Sequence, residues 1–312
     1  MTARRPGLVL VLSENWTLTP PRNLRALVGM AVEAEAEGID AVMLSEHVVM
    51  GPSSAANGIM GNPRDYAAPG NQDPATPWPD SIVLASAIAA STSRIRIALA
   101  AIIAPLRHPL LLAKQLATLD LLAEGRLIVQ PTVSWHEDEY RALGVPFHRR
   151  GAILDEQLAA MRAVWTTTPA TFAGELFRFD DVYLEPKPFR PEGPRLWFGG
   201  MHLHGPILRR LVAYGHGFHP FGSPTVQELE ELRSALAAAG RSLDEIEMIG
   251  GIRGTFDTPF GTADLARAME SIPRQLAAGY TSICFKPSMY TDDPGEHRAL
   301  CREVVTRLDA LV

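Results

Sequence analysis

A carboxylate and an imidazole stand side by side at Glu46 and His47, directly after a short apolar run at residues 39–45. Because an imidazole titrates near neutral pH, a histidine beside a carboxylate can give or take a proton during a reaction. A surface histidine that caps a loop is the competing interpretation. The pair is therefore a candidate acid–base centre, and whether it can act as one depends on where the fold places it.

A second group of candidates suits an anion or a flat ring. Gly199 and Gly200 lie between an apolar run and a helix, where backbone N–H groups bind anions, although a tight turn needs the same residues. Arg149 is one of two arginines before a helix and suits a phosphate or carboxylate, with a solvated or ion-paired role as the alternative. Trp135 offers either a wall for an aromatic ring or a core contact.

Other chemistries find less support in the sequence. Four histidines fall within residues 202–219, but no carboxylate or cysteine lies beside them at ligand spacing, which argues against a metal site. The G-x-S-x-G elbow of serine hydrolases is absent. The two cysteines, Cys284 and Cys301, are too few for a disulfide framework and predict reduced thiols.

The elements that position these residues alternate between strand and helix along the chain. The apolar pattern predicts strands at residues 7–12, 39–45, 95–103, 127–133, 195–199, near 218, 247–255 and 281–285. Predicted helices occupy residues 21–37, 80–92, 109–124, 151–165, 206–214, 226–239, 265–278 and 295–311. Ser134 and Glu137 have the spacing of a capping box at a helix start.

Eight strand–helix pairs in 312 residues predict a single (β/α)₈ (TIM) barrel domain over residues 1–312. A doubly wound open sheet is the rival, but no G-x-G-x-x-G follows the first strand. Residues 46–79 predict a long insertion or lid, and aromatic residues within 171–190 indicate a small β excursion. Barrel chemistry occurs at the C-terminal ends of the strands, a rule that selects residues 45–47, 101–107, 133–135 and 199–201.

Composition excludes several partners. The net charge of −6 gives no sign of a nucleic-acid surface. No apolar stretch approaches the roughly 18 residues of a membrane span. The apolar run near the N-terminus is too short for a signal peptide, so a cytoplasmic protein with a small-molecule substrate is expected.

Four longer motifs carry a family resemblance over nearly the whole chain. They are RHPLLLAKQLATLDLLAEGRL at residues 107–127, EYRALGVPFHRRGAILDEQL at 139–158, FDDVYLEPKPFRP at 179–191 and LWFGG at 196–200. In these motifs the chain resembles the luciferase-like monooxygenase superfamily, and within it the branch of oxidoreductases that use the deazaflavin coenzyme F-420. Relatives in the same superfamily use reduced FMN and often form homodimers.

The resemblance implies a role for each candidate. Glu46 and His47 would lie beside the cofactor ring or substrate and move a proton, although the family commonly has Asp at the first position. A non-prolyl cis peptide would back the ring at Ala101–Ile102. The phosphate cradle would be Gly199, Gly200 and Met201, and an acidic glutamyl tail would meet Arg149, Arg150, Arg209 and Arg210.

The end of the fourth strand departs from the family pattern. Residues 130–134 read QPTVS where relatives usually have a glycine-rich run, so cofactor contact there would come from Ser134 or Trp135. The leading hypothesis is an F-420-dependent oxidoreductase that transfers a hydride to or from a small organic substrate. The alternatives are an FMN-dependent monooxygenase and a non-catalytic flavin-binding barrel, which the altered strand end would favour.

Overall fold

A computed structural model describes residues 5–311 of the chain. Eight strands form a closed barrel, and each is parallel to both of its neighbours. They are β1 (Gly7–Val11), β2 (Ala41–Leu44), β3 (Arg96–Ile103), β4 (Leu127–Thr132), β7 (Arg195–Phe198), β8 (Gly217–Phe218), β9 (Glu247–Gly251) and β10 (Ser282–Phe285). The order around the barrel is β1-β10-β9-β8-β7-β4-β3-β2, which confirms the predicted (β/α)₈ architecture.

Helices connect the strands, as parallel neighbours require. They are α1 (Leu24–Ala36), α2 (Ser81–Ser91), α3 (Pro109–Leu122), α4 (Glu137–Ala142), α5 (Arg150–Thr166), α6 (Gly205–Tyr214), α7 (Val226–Ala238), α8 (Leu265–Met269), α9 (Ile272–Ala277) and α10 (His297–Asp309). Their starts are locally encoded; Asp80, for example, accepts a hydrogen bond from the Val83 N–H and so caps α2. Among the described residues no helix is long and apolar enough to cross a membrane.

The core has two apolar layers, because every barrel strand is covered on both sides. Along β1, Leu8 and Leu10 belong to the layer between strands and helices, whereas Val9 and Val11 point into the barrel. The inner layer fills the barrel with the side chains of Val9, Val11, Ala41, Met43, Ala98, Ala100, Ile128, Trp197 and Ile249. The barrel is therefore a packed core that holds the strand ends in fixed positions.

Two details differ from the sequence prediction. The helix expected at residues 265–278 is broken into α8 and α9, since Pro273 has no N–H to continue the helical ladder. The capping box of Ser134 and Glu137 is wrong. Ser134 has a φ of +57°, and α4 begins at Glu137 after His136 with no side-chain cap.

The two predicted irregular segments are present. The β excursion is an antiparallel hairpin of β5 (Ala170–Ala173) and β6 (Arg178–Val182). Residues 46–79, called the lid from here on, contain a single 3₁₀ turn at Pro52–Ala55 and otherwise neither helix nor strand. The lid begins directly after β2 and returns to the barrel at α2.

Candidate active site

His47 is held at the C-terminal end of β2 by a carboxylate from α4. Its Nδ1 lies 3.2 Å from Oε2 of Glu139, whose side chain is fully buried. The other oxygen of Glu139 accepts hydrogen bonds from the backbone N–H groups of Val48 and Val49. The glutamate therefore fixes both the imidazole and the first turn of the lid, and the Nε2 atom of His47 is left for another partner.

Aromatic rings surround the imidazole of His47. Ring centroids lie 5.1 Å away at Trp78, 5.8 Å at Trp135 and 6.0 Å at His136, all nearly perpendicular to the His47 ring. Burial is the main cause, and the nearby His47 a smaller one, of a lowered pKa at His136. Nε2 of His136 accepts the Gly51 N–H at 2.8 Å. The predicted aromatic residue Trp135 thus forms part of the wall beside the predicted histidine.

Glu46 has a different environment from its neighbour. Its Oε1 accepts the Ile103 N–H at 2.8 Å and Nη1 of Arg107 at 2.7 Å. Its Oε2 accepts the Ser81 hydroxyl at 2.8 Å and Nη2 of Arg107 at 3.0 Å. With both oxygens doubly occupied and the side chain 2% exposed, this carboxylate ties β2 to the ends of β3 and α2. The geometry suits a positioning role rather than the predicted proton transfer.

The end of β3 contains the expected non-prolyl cis peptide bond. It lies at Ala100–Ala101, one residue before the predicted Ala101–Ile102 bond. The pairing with β4 shifts at the same point, with Ala100 opposite Gln130 and Ile102 opposite Pro131. Ala101 is partly accessible, whereas Ile102 is fully buried in the layer beneath the helices, so its side chain does not face the barrel end.

The altered end of β4 connects to β8 across the barrel. Oε1 of Gln130 lies 3.0 Å from Nδ1 of His219, and both side chains are buried. Burial lowers the pKa of His219 to about 4, which keeps the imidazole neutral. Beyond this pair Ser134 is partly accessible in a left-handed conformation and leads the chain to Trp135. Gln130, one of the residues that replace the glycines, therefore links the end of β4 to the end of β8 through a buried hydrogen bond.

The glycine pair after β7 is required by its neighbours. A Cβ on Gly199 would lie 2.0 Å from the carbonyl oxygen of His219, and one on Gly200 would lie 2.5 Å from Ile207. Met201, which follows, is 61% exposed. Helix α6 then begins at Gly205 without a side-chain cap, and because Pro206 has no N–H, an anion at this helix start would meet the N–H groups of Gly205 and Ile207.

A basic rim adjoins the start of α6. Arg210 donates to Asp155 and to the Gly151 carbonyl, which joins the starts of α5 and α6. Arg209 is exposed on the same helix, and Arg149 pairs with the exposed Glu175. Of the predicted arginines, Arg149 and Arg210 therefore already have carboxylate partners, and Arg150 packs over the ring of Phe147.

Sequence reasoning missed three residues at the opposite side of the barrel end. Lys286 follows β10 directly and is fully buried, Glu14 follows β1, and Tyr66 of the lid packs on the inner barrel layer. Nζ of Lys286 lies 5.3 Å from the Tyr66 ring centroid. For Lys286 and Glu14, the position after a strand is the signal that points to them, whereas Tyr66 lies within the lid. Across residues 5–311 no three His, Cys, Asp or Glu side chains are grouped as a metal site would need.

Comparison with known proteins gives consistent matches. The family model for luciferase-like monooxygenases matches residues 7–281. An uncharacterized protein of Mycobacterium tuberculosis is 37% identical over 194 residues, which cover 61% of this chain and 63% of that protein. The chain thus spans less than two thirds of this relative's length.

Two relatives with named activities use different cofactors. The F420-dependent glucose-6-phosphate dehydrogenase of Nakamurella multipartita is 26% identical over 291 residues, which cover 89% of this chain and 75% of that protein. The FMNH(2)-dependent dimethylsulfone monooxygenase of Pseudomonas putida is 34% identical over 127 residues, which cover 39% of this chain and 34% of that protein.

Solved structures show the same fold. Monooxygenase RslO1 from Streptomyces bottropensis superposes with a TM-score of 0.72 at 18% identity and covers 96% of this chain and 98% of its own. An F420-dependent secondary alcohol dehydrogenase superposes with a TM-score of 0.69 at 18% identity, with coverage of 98% and 99%. At these identities the superpositions describe the barrel alone.

Proposed function

The chain belongs to the luciferase-like monooxygenase family, and from that premise we propose that it is a coenzyme F-420-dependent oxidoreductase acting on a small organic substrate. An F420-dependent dehydrogenase aligns over 89% of the chain, whereas the alignment to the FMNH(2)-dependent relative covers 39% of the chain. This difference in coverage favours the deazaflavin over FMN.

The observation that carries the proposal is the pairing of His47 with Glu139. With Nδ1 donating to the buried carboxylate, Nε2 of His47 would be the atom that contacts a substrate beside the rings of Trp78 and Trp135. A carboxylate in that position stabilises the imidazolium that forms when His47 accepts a proton. His47 is thus the proposed acid–base residue, which takes a proton from a substrate hydroxyl during oxidation or returns it during reduction.

Most of the residues that would hold the cofactor follow barrel strands at the same end as this histidine. Gly199, Gly200 and Met201 lead to the start of α6 and would bind the phosphate, with Arg149 and Arg209 near an acidic tail. Ala101, Ser134 and Trp135 would line the ring, while Glu46 would set the end of β3 through its hydrogen bond to Ile103. When bound, a deazaflavin supplies a two-electron hydride carrier.

An FMN-dependent monooxygenase is the second candidate, favoured by the 34% identity to the dimethylsulfone enzyme. A parallel fluorescence titration of the purified protein with F-420 and with FMN separates the two. Tight binding of F-420 alone supports the proposal, and tight binding of FMN alone replaces it with oxygen-dependent chemistry. If neither cofactor binds, the enzyme proposal fails.

A His47→Ala variant then tests the acid–base assignment. We expect turnover to fall by about 10²–10⁴, the usual contribution of a positioned acid–base group, while cofactor affinity stays within a few-fold. Unchanged turnover with the bound cofactor would remove His47 from the mechanism.

A further inference from the structure

Lys286 is an unusual cation in this chain. The sequence has three lysines, and the other two, Lys114 and Lys187, donate to backbone carbonyls outside the barrel. Lys286 is 0% exposed at the C-terminal end of β10. In the part of the chain that the structure describes, its ammonium group has one hydrogen-bond acceptor, the carbonyl oxygen of Asp65 at 3.2 Å.

An ammonium group carries three N–H donors, so the single acceptor leaves two of them unsatisfied. Nζ also lies over the ring of Tyr66, a weaker contact at 5.3 Å. Leaving the donors of a buried charged group unpaired destabilises the arrangement. The lid therefore covers Lys286 without supplying all of its hydrogen bonds.

The carboxylate of Glu14, a few residues after β1, does not form an ion pair with Lys286. Glu14 has a φ of +58°, and its Oε1 accepts Nε2 of Gln72 at 3.2 Å. Among the ion pairs of residues 5–311 none joins Glu14 to Lys286, and Asp65 pairs with Arg253. Among the described residues the ammonium group of Lys286 therefore has no hydrogen-bonded carboxylate.

Resting on the proposed function, we propose that Lys286 anchors the substrate and that the substrate is a small organic molecule that carries a carboxylate. A carboxylate has several acceptor positions and makes charge-assisted hydrogen bonds about twice as strong as those of a neutral carbonyl. It would therefore compete effectively with the Asp65 carbonyl for the ammonium. Burial raises the pKa of Glu14, against the opposing effect of Lys286, and burial also lowers the pKa of Lys286, so a bound carboxylate would stabilise the charged ammonium that burial disfavours.

The anchor and the proposed acid–base residue belong to the same barrel end. Lys286 directly follows β10 and His47 follows β2, so both lie where barrel strands end. A substrate held at one end by Lys286 would present its other end to His47 across the barrel. The lid residues Asp65 and Tyr66, which contact Lys286 now, would have to move for the substrate to enter.

Binding of matched probes tests this anchor without turnover. Saturation-transfer NMR titrations of the full chain, alone and with whichever cofactor binds, compare propanoate with propanamide and benzoate with benzamide. Each pair has one shape and differs in charge. We expect at least a tenfold preference for the carboxylate, lost in both Lys286→Met and Lys286→Gln. Gln retains a donor for the Asp65 carbonyl, and Lys114→Met on the outside of α3 serves as the control.

Two results would overturn the proposal. Equal affinity of the native protein for acid and amide in both conditions would show that Lys286 only secures the lid. A preference that persists in the folded Lys286→Gln variant would place the anion elsewhere. Circular dichroism checks that the variants fold, and the cofactor titration is scored separately, so failure of the anchor and failure of the cofactor proposal remain distinguishable.

Discussion

His47 and Glu139 are 92 residues apart in the chain, yet Nδ1 of the histidine lies 3.2 Å from Oε2 of the glutamate. One follows β2 and the other belongs to the short helix α4 after β4. The parallel pairing of β2, β3 and β4 brings them together, because it places the carboxyl ends of these neighbouring strands side by side. The contact links the lid, the proposed acid–base residue and α4 in one buried unit.

A Glu139→Gln variant measures what this contact contributes. We expect turnover to fall by about 10–10³-fold, since the amide cannot stabilise the charged imidazole as a carboxylate does. Cofactor affinity should stay within a few-fold. Steady-state kinetics and the cofactor titration provide the two measurements.

The matched control for that variant is Glu137→Gln, which changes an exposed carboxylate in the first turn of the same helix. Its turnover should equal that of the native protein. If the two variants behave alike, the effect comes from α4 as a whole rather than from the contact with His47.

The pair of Glu46 and Arg107 should matter more for stability than for chemistry. Their side chains are 2% and 12% exposed, and removing one partner of a buried ion pair costs about 3–5 kcal/mol. We therefore expect Glu46→Gln to lower the free energy of unfolding by that amount in a urea titration. Glu230→Gln, which breaks the exposed pair with Arg233, should cost at most about 1 kcal/mol. Equal losses would contradict the positioning role.

Much of the fold follows from local sequence pattern. Apolar runs, helix caps and glycine stops gave the alternation of strands and helices, and the strand ends then indicated where His47, Trp135 and Gly199 would lie. The break at Pro273 shows the limit of periodicity. Apolar spacing continues across residues 265–278, but the missing N–H of one residue ends the hydrogen-bond ladder.

The contacts between side chains within the site are harder to predict from the sequence than the positions of the strands and helices. The adjacent histidine predicts an acid–base role for Glu46, yet its carboxylate accepts hydrogen bonds from Arg107, 61 residues away. Glu139 and Lys286 carry no local motif, and their burial appears only when the barrel closes. The ends of the predicted strands indicate which residues lie at the site. Contacts between side chains from different strands and helices decide which of their charges are already paired.

The free energy of unfolding should decrease as the pH is lowered, because His219 stays neutral in the folded protein. Burial lowers its pKa from 6.5 to about 4, so between these values the unfolded chain binds a proton that the folded chain does not. As the pH falls through this window, the difference in proton binding at His219 lowers the free energy of unfolding by up to about 1.4 kcal/mol per pH unit. In urea titrations from pH 7 to 4, His219→Gln should show a correspondingly shallower loss. Parallel curves would mean that His219 is protonated in the folded protein.

Gly199 should tolerate no side chain, because β7 and β8 approach each other too closely there. A Cβ would lie 2.0 Å from the His219 carbonyl oxygen and 2.9 Å from Nε2 of Gln130, so Gly199→Ala must displace backbone. We expect the free energy of unfolding to fall by about 1–3 kcal/mol, as for other overpacked sites, and phosphate-end cofactor affinity to fall with it.

The control is Gly29→Ala in α1, where nothing lies within 4 Å of the added methyl group and alanine is the better helix former. That variant should gain about 0.5–1 kcal/mol in the same urea titration. The opposite signs of the two substitutions distinguish a glycine needed for close approach from one that is only permitted. A stable Gly199→Ala protein with unchanged cofactor affinity would show that β7 can move away from β8, and the phosphate site would then have to be sought elsewhere on the rim.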